Sequence, residues 1–312
     1  MEPEMIDSAV EMGVTLGPVC LENPILAASG TYGFGEEYGT VFDLRCLGGL
    51  ITKTITTNPR GGNRPPRLVE SAAGLINSIG LTNPGLDVFI QEQLPLLSSV
   101  DVPLVVSIAG ESMDEYVSIV SRLEGEDAIT ALEINISCPN VDLDGEMISA
   151  HPDLVQSLAI HLRQVTSRPL IFKLSPQIGT VVASAQAARN GGADILSLVN
   201  TFPALAIDAD MQRPILGNVV GGLSGPAIKP IALRLIWDVA RKVDLPIIAS
   251  GGIFSARDVV EFALAGANAV SIGTANFVDP LACIKILADL RSYLHKRGIT
   301  GFSDIVGKLQ AE

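Results

Sequence analysis

The amino-acid sequence predicts an α/β protein that folds as one (β/α)8 TIM barrel, with an N-terminal hairpin and insertions at the C-terminal face. Short apolar runs recur along the whole chain, helical patterns lie between most of them, and polar residues collect where the runs end. Runs that are continuously apolar are typical of strands buried on both faces. Their alternation with helices is the pattern of a parallel barrel.

Eight segments rich in Ile, Leu, Val and Ala are the predicted strands of this barrel. They are PILAAS (24–29), GLITKTI (49–55), LVVSIA (104–109), LEINIS (132–137), LIFKLS (170–175), ILSLVN (195–200), PIIAS (246–250) and AVSIGT (269–274).

Seven segments between or after these strands predict helices. They are LDVFIQEQLPLL, MDEYVSIVSRL, PDLVQSLAIHLRQV, TVVASAQAARNGG, PAIKPIALRLIWDVARKV, SARDVVEFALAGA and DPLACIKILADLRSYLHKR. Thr180, Ser255 and Asp279, the last followed by Pro280, are predicted helix starts. The glycines of RNGGAD and LAGANA predict helix ends.

The whole chain, residues 1–312, is predicted to form one domain, because no linker or break in composition interrupts the pattern of strands and helices. VTLGPVCLEN, before the first strand, predicts a hairpin that closes the N-terminal end of the barrel. The rival fold, an open doubly wound sheet, usually carries GxGxxG after an early strand. No such motif follows PILAAS or GLITKTI.

Composition narrows the possible partners. The formal net charge is −13, without a run of five like charges, so we expect neither nucleic acid nor an anionic membrane as a partner. The N-terminal segment is acidic and no 18-residue run is free of polar residues, which favours a cytoplasmic protein. Four scattered cysteines without CxxC, and three histidines without HExxH, predict no metal site.

Polar residues and glycines at the predicted strand ends are the candidate site, since barrels carry their chemistry there. They are Ser29, Lys53, Thr54, Asn135, Cys138, Lys173, Asn200, Thr201, Gly251, Gly252, Gly273 and Thr274. Lys53 and Lys173 lie inside apolar runs and indicate an anionic ligand at the barrel mouth, because a buried lysine needs a partner. The alternative is that the strands are shorter than predicted and both lysines reach solvent. Three glycine-rich loops, ASGGIFSARD, IGTANFVDP and GGLSGPAI, favour a ligand that carries phosphate.

Several motifs taken together closely resemble class 1 dihydroorotate dehydrogenases. They span residues 23–275 in order: NPILAASGTYGFGEEY, TKTITTNPRGGNRPPRLVE, NSIGLTNPG, EINISCPN, KLSP, VNT, GGLSGPAIKP, ASGGI and SIGTA. IGLTNPG and GTYGFGEEY look more like the NAD-linked class 1B catalytic subunit than the fumarate-linked 1A form. The chain has neither the N-terminal extension nor the serine base of class 2.

The resemblance implies an FMN in the barrel mouth and oxidation of dihydroorotate to orotate, a step of pyrimidine biosynthesis, with hydride passing to FMN. Cys138 would be the base that removes the substrate proton, and a thiol with a pKa of ~8.5 can cycle near neutral pH. A nucleophilic cysteine would need a histidine partner, and none is nearby in sequence. A merely packed cysteine is the other alternative.

The remaining roles also come from the resemblance. Lys53 would contact both flavin and substrate. The other predicted substrate contacts are Asn77, Ser78, Ile79, Gly80, Leu81, Asn135, Asn200 and Thr201. The other predicted flavin contacts are Ser29, Thr54, Ser107, Asn135, Lys173, Val199, Gly225, Gly251, Gly252, Gly273 and Thr274. Ser107 stands where relatives often have Asn, and Gln177 also departs from the frequent Asn.

The resemblance further implies a partner subunit that carries FAD and a [2Fe-2S] cluster and reduces NAD, and a homodimer of this chain. Three alternatives remain open from the sequence. One is a fumarate-linked class 1A enzyme without a partner. The second is a related FMN-dependent dihydropyrimidine oxidoreductase. The third is a barrel that binds a phosphate ligand without catalysis.

Overall fold

A computed structural model describes residues 10–137 and 148–310, and its centre is a closed barrel of eight parallel strands. The strands, in chain order, are β1 (Val14–Leu16), β2 (Val19–Leu21), β3 (Ile25–Ala27), β4 (Gly49–Ile51), β5 (Leu68–Ser71), β6 (Gly74–Asn77), β7 (Leu104–Ile108), β8 (Ala131–Asn135), β9 (Leu170–Lys173), β10 (Ile195–Leu198), β11 (Phe202–Leu205), β12 (Ile207–Asp208), β13 (Arg213–Pro214), β14 (Val220–Ser224), β15 (Ile247–Ala249) and β16 (Ala269–Ile272).

The barrel closes in the order β3-β4-β7-β8-β9-β10-β15-β16, and β16 pairs with β3. This is the order in which the strands occur along the chain, as in a (β/α)8 barrel. Each of the eight predicted strands lies in the barrel, and all eight are shorter than predicted. The fold class predicted from the sequence is confirmed.

Helices surround the barrel. They are α1 (Glu36–Gly39), α2 (Leu86–Val88), α3 (Leu94–Ser98), α4 (Met113–Leu123), α5 (Pro152–Val165), α6 (Val181–Gly191), α7 (Lys229–Ala240), α8 (Ala256–Ala265), α9 (Ala275–Val278) and α10 (Ala282–Lys296). A π-helical segment, Phe89–Gln93, joins α2 to α3, so the predicted helix over this region is one continuous stretch. Helices α4 and α5 have the predicted bounds.

Most of the predicted helix starts and ends are found in the structure. The Ser255 hydroxyl accepts the N–H of Asp258 at 3.3 Å and begins α8, as predicted. Gly192 and Gly266 end α6 and α8 in the left-handed conformation, with φ of 103° and 116°. Thr180 does precede α6, but its hydroxyl makes no capping hydrogen bond.

The predicted start of the last helix at Asp279 is wrong, because α9 occupies the preceding residues and Asp279 ends it. A carboxylate oxygen of Asp279 accepts the N–H of Leu281 at 3.0 Å, and α10 begins only at Ala282.

The predicted hairpin is formed by β1 and β2, which pair antiparallel. Val14 and Leu16 are buried while Thr15 between them is exposed, so one face of the hairpin packs on the barrel. Gly17, in the turn between β1 and β2, lies beside the carbonyl of Asp194, which precedes β10. The hairpin therefore covers the N-terminal end of the barrel.

A second sheet lies beyond the C-terminal ends of the barrel strands. Its order is β11-β14-β6-β5, and all its pairs are antiparallel. Strands β5 and β6 come from the insertion after β4, and β11 and β14 from the insertion after β10. The two insertions therefore meet above the barrel mouth. Among the described helices, none is long and apolar enough to span a bilayer.

Candidate active site

Lys53 lies outside the strand in which the sequence placed it. Strand β4 ends at Ile51, and Lys53 is a half-buried residue of the loop that follows. Its N–H donates to the carbonyl of Gly33 at 3.1 Å, which ties this loop to the loop after β3. Within residues 10–137 and 148–310, no side chain pairs with its ammonium group. Lys53 therefore lies outside the barrel strands because β4 is shorter than predicted.

Lys173 is the last residue of β9, and its side chain is only 12% exposed. Its ammonium donates to the hydroxyl of Ser29 at 2.7 Å and lies 3.5 Å from a carboxylate oxygen of Glu133. Ser29 follows β3, so this contact crosses the barrel mouth. Lys173 and Ser29, two predicted flavin residues, are therefore in direct contact, and Glu133, which was not predicted, supplies the counter-charge of Lys173.

Glu133 anchors a chain of buried hydrogen bonds. Its carboxylate accepts the hydroxyl of Ser107 at 2.9 Å, Ser107 lies 3.0 Å from the hydroxyl of Thr54, and the amide nitrogen of Asn135 donates to Thr54 at 3.2 Å. An ionised carboxylate can only accept hydrogen bonds, so the Ser107 hydroxyl donates its proton to Glu133. Ser107 therefore accepts the hydrogen bond from the Thr54 hydroxyl. The chain thus runs in one direction, from Asn135 to Glu133. This direction turns the amide oxygen of Asn135 away from Thr54 and toward the N–H of Ser137, at 3.3 Å.

Asn77 and Thr201, two predicted substrate contacts, approach each other across Gly222 of β14. The amide of Asn77 donates to the carbonyl of Gly222 at 3.2 Å. A Cβ on Gly222 would lie 1.9 Å from the hydroxyl oxygen of Thr201, so only glycine fits at this position. The N–H of Thr201 donates to the side-chain oxygen of Asn200 at 2.8 Å. The extra sheet therefore brings residues from both insertions to one place.

The segment that follows Asn77 is a tight turn. Gly80 and Leu81 both have positive φ, of 76° and 53°. Asn63 fixes this turn by donating from its side-chain nitrogen to the hydroxyl of Ser78 at 2.9 Å. Ile79, at the apex, is 38% exposed. The five residues of NSIGL thus form a turn whose backbone is held from one side.

Glycines from three loops converge beside Thr274. A Cβ on Gly252 would lie 2.9 Å from the carbonyl of Gly225, and one on Gly225 would lie 3.5 Å from the methyl group of Thr274. Gly225, Gly251 and Gly252 all have positive φ. In the described part of the chain, the N–H groups of Gly251, Gly252 and Thr274 find no protein acceptor. Backbone donors that converge in this way form an anion cradle.

An ion cluster supports this cradle from behind. The ammonium of Lys229 donates to Asp258 at 2.6 Å and to Glu261 at 2.8 Å. Burial raises the pKa of Asp258, but hydrogen bonds from Lys229, Phe254 and Ser255 outweigh it and hold the pKa below its usual value. Burial likewise lowers the pKa of Lys229, and its two carboxylate partners raise it above the usual value. The cluster joins α7 to α8 directly behind Gly252.

The other predicted residues lie at the mouth or outside the described residues. Val199 is buried, its carbonyl accepts the hydroxyl of Ser250 at 2.7 Å, and it adjoins Gly251. Gly273 follows β16 and faces Ala28. Cys138, the predicted base, falls outside residues 10–137 and 148–310. Among the described residues, no group of His, Cys, Asp and Glu could hold a metal ion.

Comparison with known proteins identifies the family. The family model of dihydroorotate dehydrogenase matches residues 12–294. The chain belongs to the dihydroorotate dehydrogenase family. A relative from Desulforudis audaxviator, named dihydroorotate dehydrogenase B (NAD(+)), catalytic subunit, is 49% identical over 96% of this chain and 97% of its own length. A relative of the same name from Trichlorobacter lovleyi is 46% identical over 96% and 98%.

A solved structure shares the fold. It is the dihydroorotate dehydrogenase of Eimeria tenella in complex with ferulenol, which superposes with a TM-score of 0.80 at 23% identity. The alignment covers 98% of this chain and 90% of that chain.

Dihydroorotate dehydrogenases depend on FMN as a family, and the residues of this chain fit that cofactor. The glycine cradle at 225, 251 and 252 leaves room that a Cβ would fill, and its free N–H groups suit phosphate oxygens. Lys173, at the end of β9, would offer a cation to the flavin ring. Apart from Lys53 in the loop after β4, the predicted flavin residues lie at the cradle, at the Lys173–Ser29 contact or in the hydrogen-bond chain that ends at Glu133.

Three residues at or beneath the mouth were not predicted from the sequence: Gly222, Glu133, and Ser197, whose hydroxyl lies 3.5 Å from the Glu133 carboxylate. Glu133 was visible as the single charged residue of LEINIS, an apolar strand in which a carboxylate needs a partner. Ser197 left no such signal, since serine is common in strands. Gly222 belongs to a glycine-rich segment that was interpreted only as a phosphate loop, whereas it lies in β14 beside Thr201.

Proposed function

We propose that this chain is the catalytic subunit of a class 1B dihydroorotate dehydrogenase, which oxidises dihydroorotate to orotate with a bound FMN in the cytoplasm. Family membership over residues 12–294 and relatives of that name at 43–49% identity support the proposal. The observation that carries it is the arrangement of two lysines and three side-chain amides around one barrel mouth. Asn77, Asn135 and Asn200 supply the amides.

Substrate binding follows from the chemistry of these groups. Dihydroorotate has a carboxylate and a ring in which N–H and C=O groups alternate. Lys53, half-buried and without a partner among the described side chains, would bind the carboxylate. Asparagine side chains suit the ring, because each offers a donor and an acceptor. The hydrogen-bond chain to Glu133 would hold the amide of Asn135 in one orientation toward the ring.

The proton would be removed by Cys138, which follows Ser137 at the end of β8. A bound FMN would accept the two electrons that leave the substrate. Of the three other cysteines, Cys20 and Cys46 are exposed and Cys283 is buried. Burial raises the pKa of the Cys283 thiol to about 12, so it is a poor base at neutral pH. Cys138 therefore remains the cysteine suited to this role.

Reoxidation of the flavin would require a second protein. The relatives are named catalytic subunits of an NAD(+) enzyme, which implies another subunit in those assemblies. We propose that the corresponding partner of this chain carries FAD and a [2Fe-2S] cluster and passes electrons to NAD. We also propose that the chain forms a homodimer.

The substrate is tested by supplying the purified, FMN-loaded chain with an artificial electron acceptor and either dihydroorotate or dihydrouracil. We expect rapid formation of orotate and turnover of dihydrouracil at least a hundredfold slower, because dihydrouracil has no carboxylate for Lys53. Equal or preferred turnover of dihydrouracil would move the chain to the dihydropyrimidine oxidoreductases. FMN binding without turnover of either compound would favour a binding protein.

A further inference from the structure

Glu133 is a buried carboxylate inside the barrel. Its side chain is 1% exposed, and it contacts residues of three other strands: Ser107 on β7, Lys173 on β9 and Ser197 on β10. A side chain of β8 that reaches β10 must cross the barrel interior, because β9 lies between these strands. Glu133 also lies two residues before Asn135, about 7 Å deeper along the strand than the residues of the mouth.

The carboxylate of Glu133 is paired as a buried charge must be. One of its oxygens accepts the hydroxyl of Ser107 at 2.9 Å and lies 3.5 Å from the ammonium of Lys173. The other lies 3.5 Å from the hydroxyl of Ser197. Apart from Lys173, no cation among the described residues pairs with it. Lys173 and Glu133 therefore form an ion pair in the barrel interior, with Lys173 on the side of the mouth.

The order of these charges has a consequence for the mouth. Lys173 reaches Ser29, at the end of β3, whereas Glu133 lies beneath it. A ligand above Lys173 experiences a positive charge that is partly offset by the negative charge behind it, and in a buried site neither charge is strongly screened. A flavin gains negative charge when it is reduced, so a net positive charge near it affects how readily it is reduced.

We propose that Glu133 is a positioning residue that acts through Lys173 and sets the reduction potential of the bound flavin. It holds the ammonium of Lys173 at the flavin site and offsets part of its charge, so that FMN is reduced less readily than it would be beside an unpaired lysine. This inference rests on the proposed FMN site and extends it. Glu133 itself makes no contact with the substrate.

The test is the midpoint potential of bound FMN, measured by anaerobic titration with a chemical reductant in the absence of dihydroorotate. We expect Glu133→Gln to favour the reduced flavin about tenfold, which is an upward shift of about 30 mV for a two-electron couple. Replacing both charges, in Glu133→Gln/Lys173→Met, should change the ratio less than about threefold, or about 14 mV, because only the part of the Lys173 charge that Glu133 does not offset is lost.

The matched control is Glu124→Gln, which removes a hydrogen-bonded carboxylate at the other end of the barrel. Glu124 accepts the N–H and the hydroxyl of Ser167 at 3.0 Å and 2.9 Å, just before β9 begins. Its replacement should leave the potential unchanged.

An unchanged or lower potential in Glu133→Gln would overturn the inference. If that variant fails to fold, the doubly neutral variant decides alone, and a tenfold shift toward oxidised flavin in it would show that Lys173 acts without compensation by Glu133. Failure of the proposed function is separable, because the potential is measured without substrate. A wild-type chain that binds FMN but leaves dihydroorotate unoxidised refutes the function and leaves this test intact. A folded wild-type chain that binds no FMN refutes both.

Discussion

Single residues at the barrel mouth divide into those with protein partners and those without. Lys173 is held by Ser29 and Glu133, whereas Lys53 has no side-chain partner in the described part of the chain. A buried or half-buried cation is stable only with a counter-charge or with water. Lys173 thus has its counter-charge within the protein, and Lys53 is the lysine suited to a ligand's carboxylate.

Replacement of Lys53 by Met should weaken orotate binding by roughly 10- to 100-fold, because a charge-assisted hydrogen bond contributes about 1.5–3 kcal/mol. Equilibrium titration of the flavin spectrum with orotate measures this. Lys242→Met, which removes an exposed lysine on the side of the barrel opposite the mouth, is the control and should bind orotate normally. Normal binding by Lys53→Met would place the carboxylate elsewhere.

Replacement of Cys138 by Ala should slow flavin reduction by dihydroorotate at pH 7 by ~10²–10⁴-fold, the usual contribution of a positioned base. Stopped-flow absorbance measures the rate. Cys20→Ala, which removes an exposed thiol on the N-terminal hairpin, should reduce its flavin at the wild-type rate. A Cys138→Ala protein as fast as wild type would assign the base to another group.

At the scale of elements, the extra sheet is the part that sequence patterns predict least. The barrel strands were predictable because each is continuously apolar, as a strand buried on both faces must be. Strands β5 and β14 are half-exposed, and β14 contains two glycines, so neither has an apolar run. The pairing of Asn77 with Gly222 joins residues that are far apart in sequence, and no local pattern encodes it.

In the site, too, contacts between residues far apart in sequence could not be predicted. Residues at barrel strand ends, such as Asn135 and Lys173, were predictable because the fold fixes where strands end. The partner of Lys173 was not identified, since Glu133 becomes its neighbour only when β8 and β9 pair. The N–H groups of the glycine cradle could be predicted as a phosphate site only in outline, because their convergence depends on three separate loops.

Replacement of Gly222 by Ala should displace Thr201, since a Cβ there would lie 1.9 Å from its hydroxyl oxygen. We expect the KM for dihydroorotate to rise at least tenfold while the barrel's melting temperature changes little. Steady-state kinetics and calorimetry measure the two effects. Gly61→Ala is the control, because a Cβ on Gly61 meets no atom within 4 Å. A Gly222→Ala protein with unchanged KM would remove Thr201 from the substrate contacts.

The Lys229–Asp258–Glu261 cluster should stabilise the junction of α7 and α8 in a pH-dependent way. The pKa of Asp258 is lowered in the folded chain, so its contribution is complete above the unfolded pKa of ~3.9 and disappears as the pH falls through the folded value. The pKa of Lys229 is raised, so its contribution is complete below ~10.4 and is lost at higher pH.

Asp258→Asn should therefore lower the free energy of unfolding by about 1.5–3 kcal/mol between pH 5 and 8, with a smaller difference below pH ~4. Urea unfolding at several pH values measures this. Asp43→Asn, at an exposed pair with Arg45, should change stability far less. A difference for Asp258→Asn that grows toward acid pH would contradict the sign of this account.

At the scale of the whole molecule, the barrel separates stability from chemistry. The hairpin covers its N-terminal end, and the two insertions build the extra sheet over its C-terminal end. All the described candidate residues lie at that second end, in loops and strand termini supported by an aliphatic core. Substitutions at the mouth should thus alter activity with little loss of stability, as in other barrels.

The proposed function makes electron transfer to NAD depend on a second subunit. We expect the chain alone, given dihydroorotate, to reduce neither NAD nor fumarate at a significant rate, and to reduce NAD once an electron-transfer subunit with FAD and [2Fe-2S] is added. Rapid turnover of the chain alone with fumarate would instead indicate a class 1A enzyme.

The most direct test of the central claim is an anaerobic titration of the FMN-loaded chain with dihydroorotate, followed by flavin absorbance. The account predicts that the absorbance of oxidised flavin bleaches as one equivalent of dihydroorotate is added and that orotate appears in the same amount. A chain that binds FMN tightly and keeps its oxidised spectrum in excess dihydroorotate would contradict it.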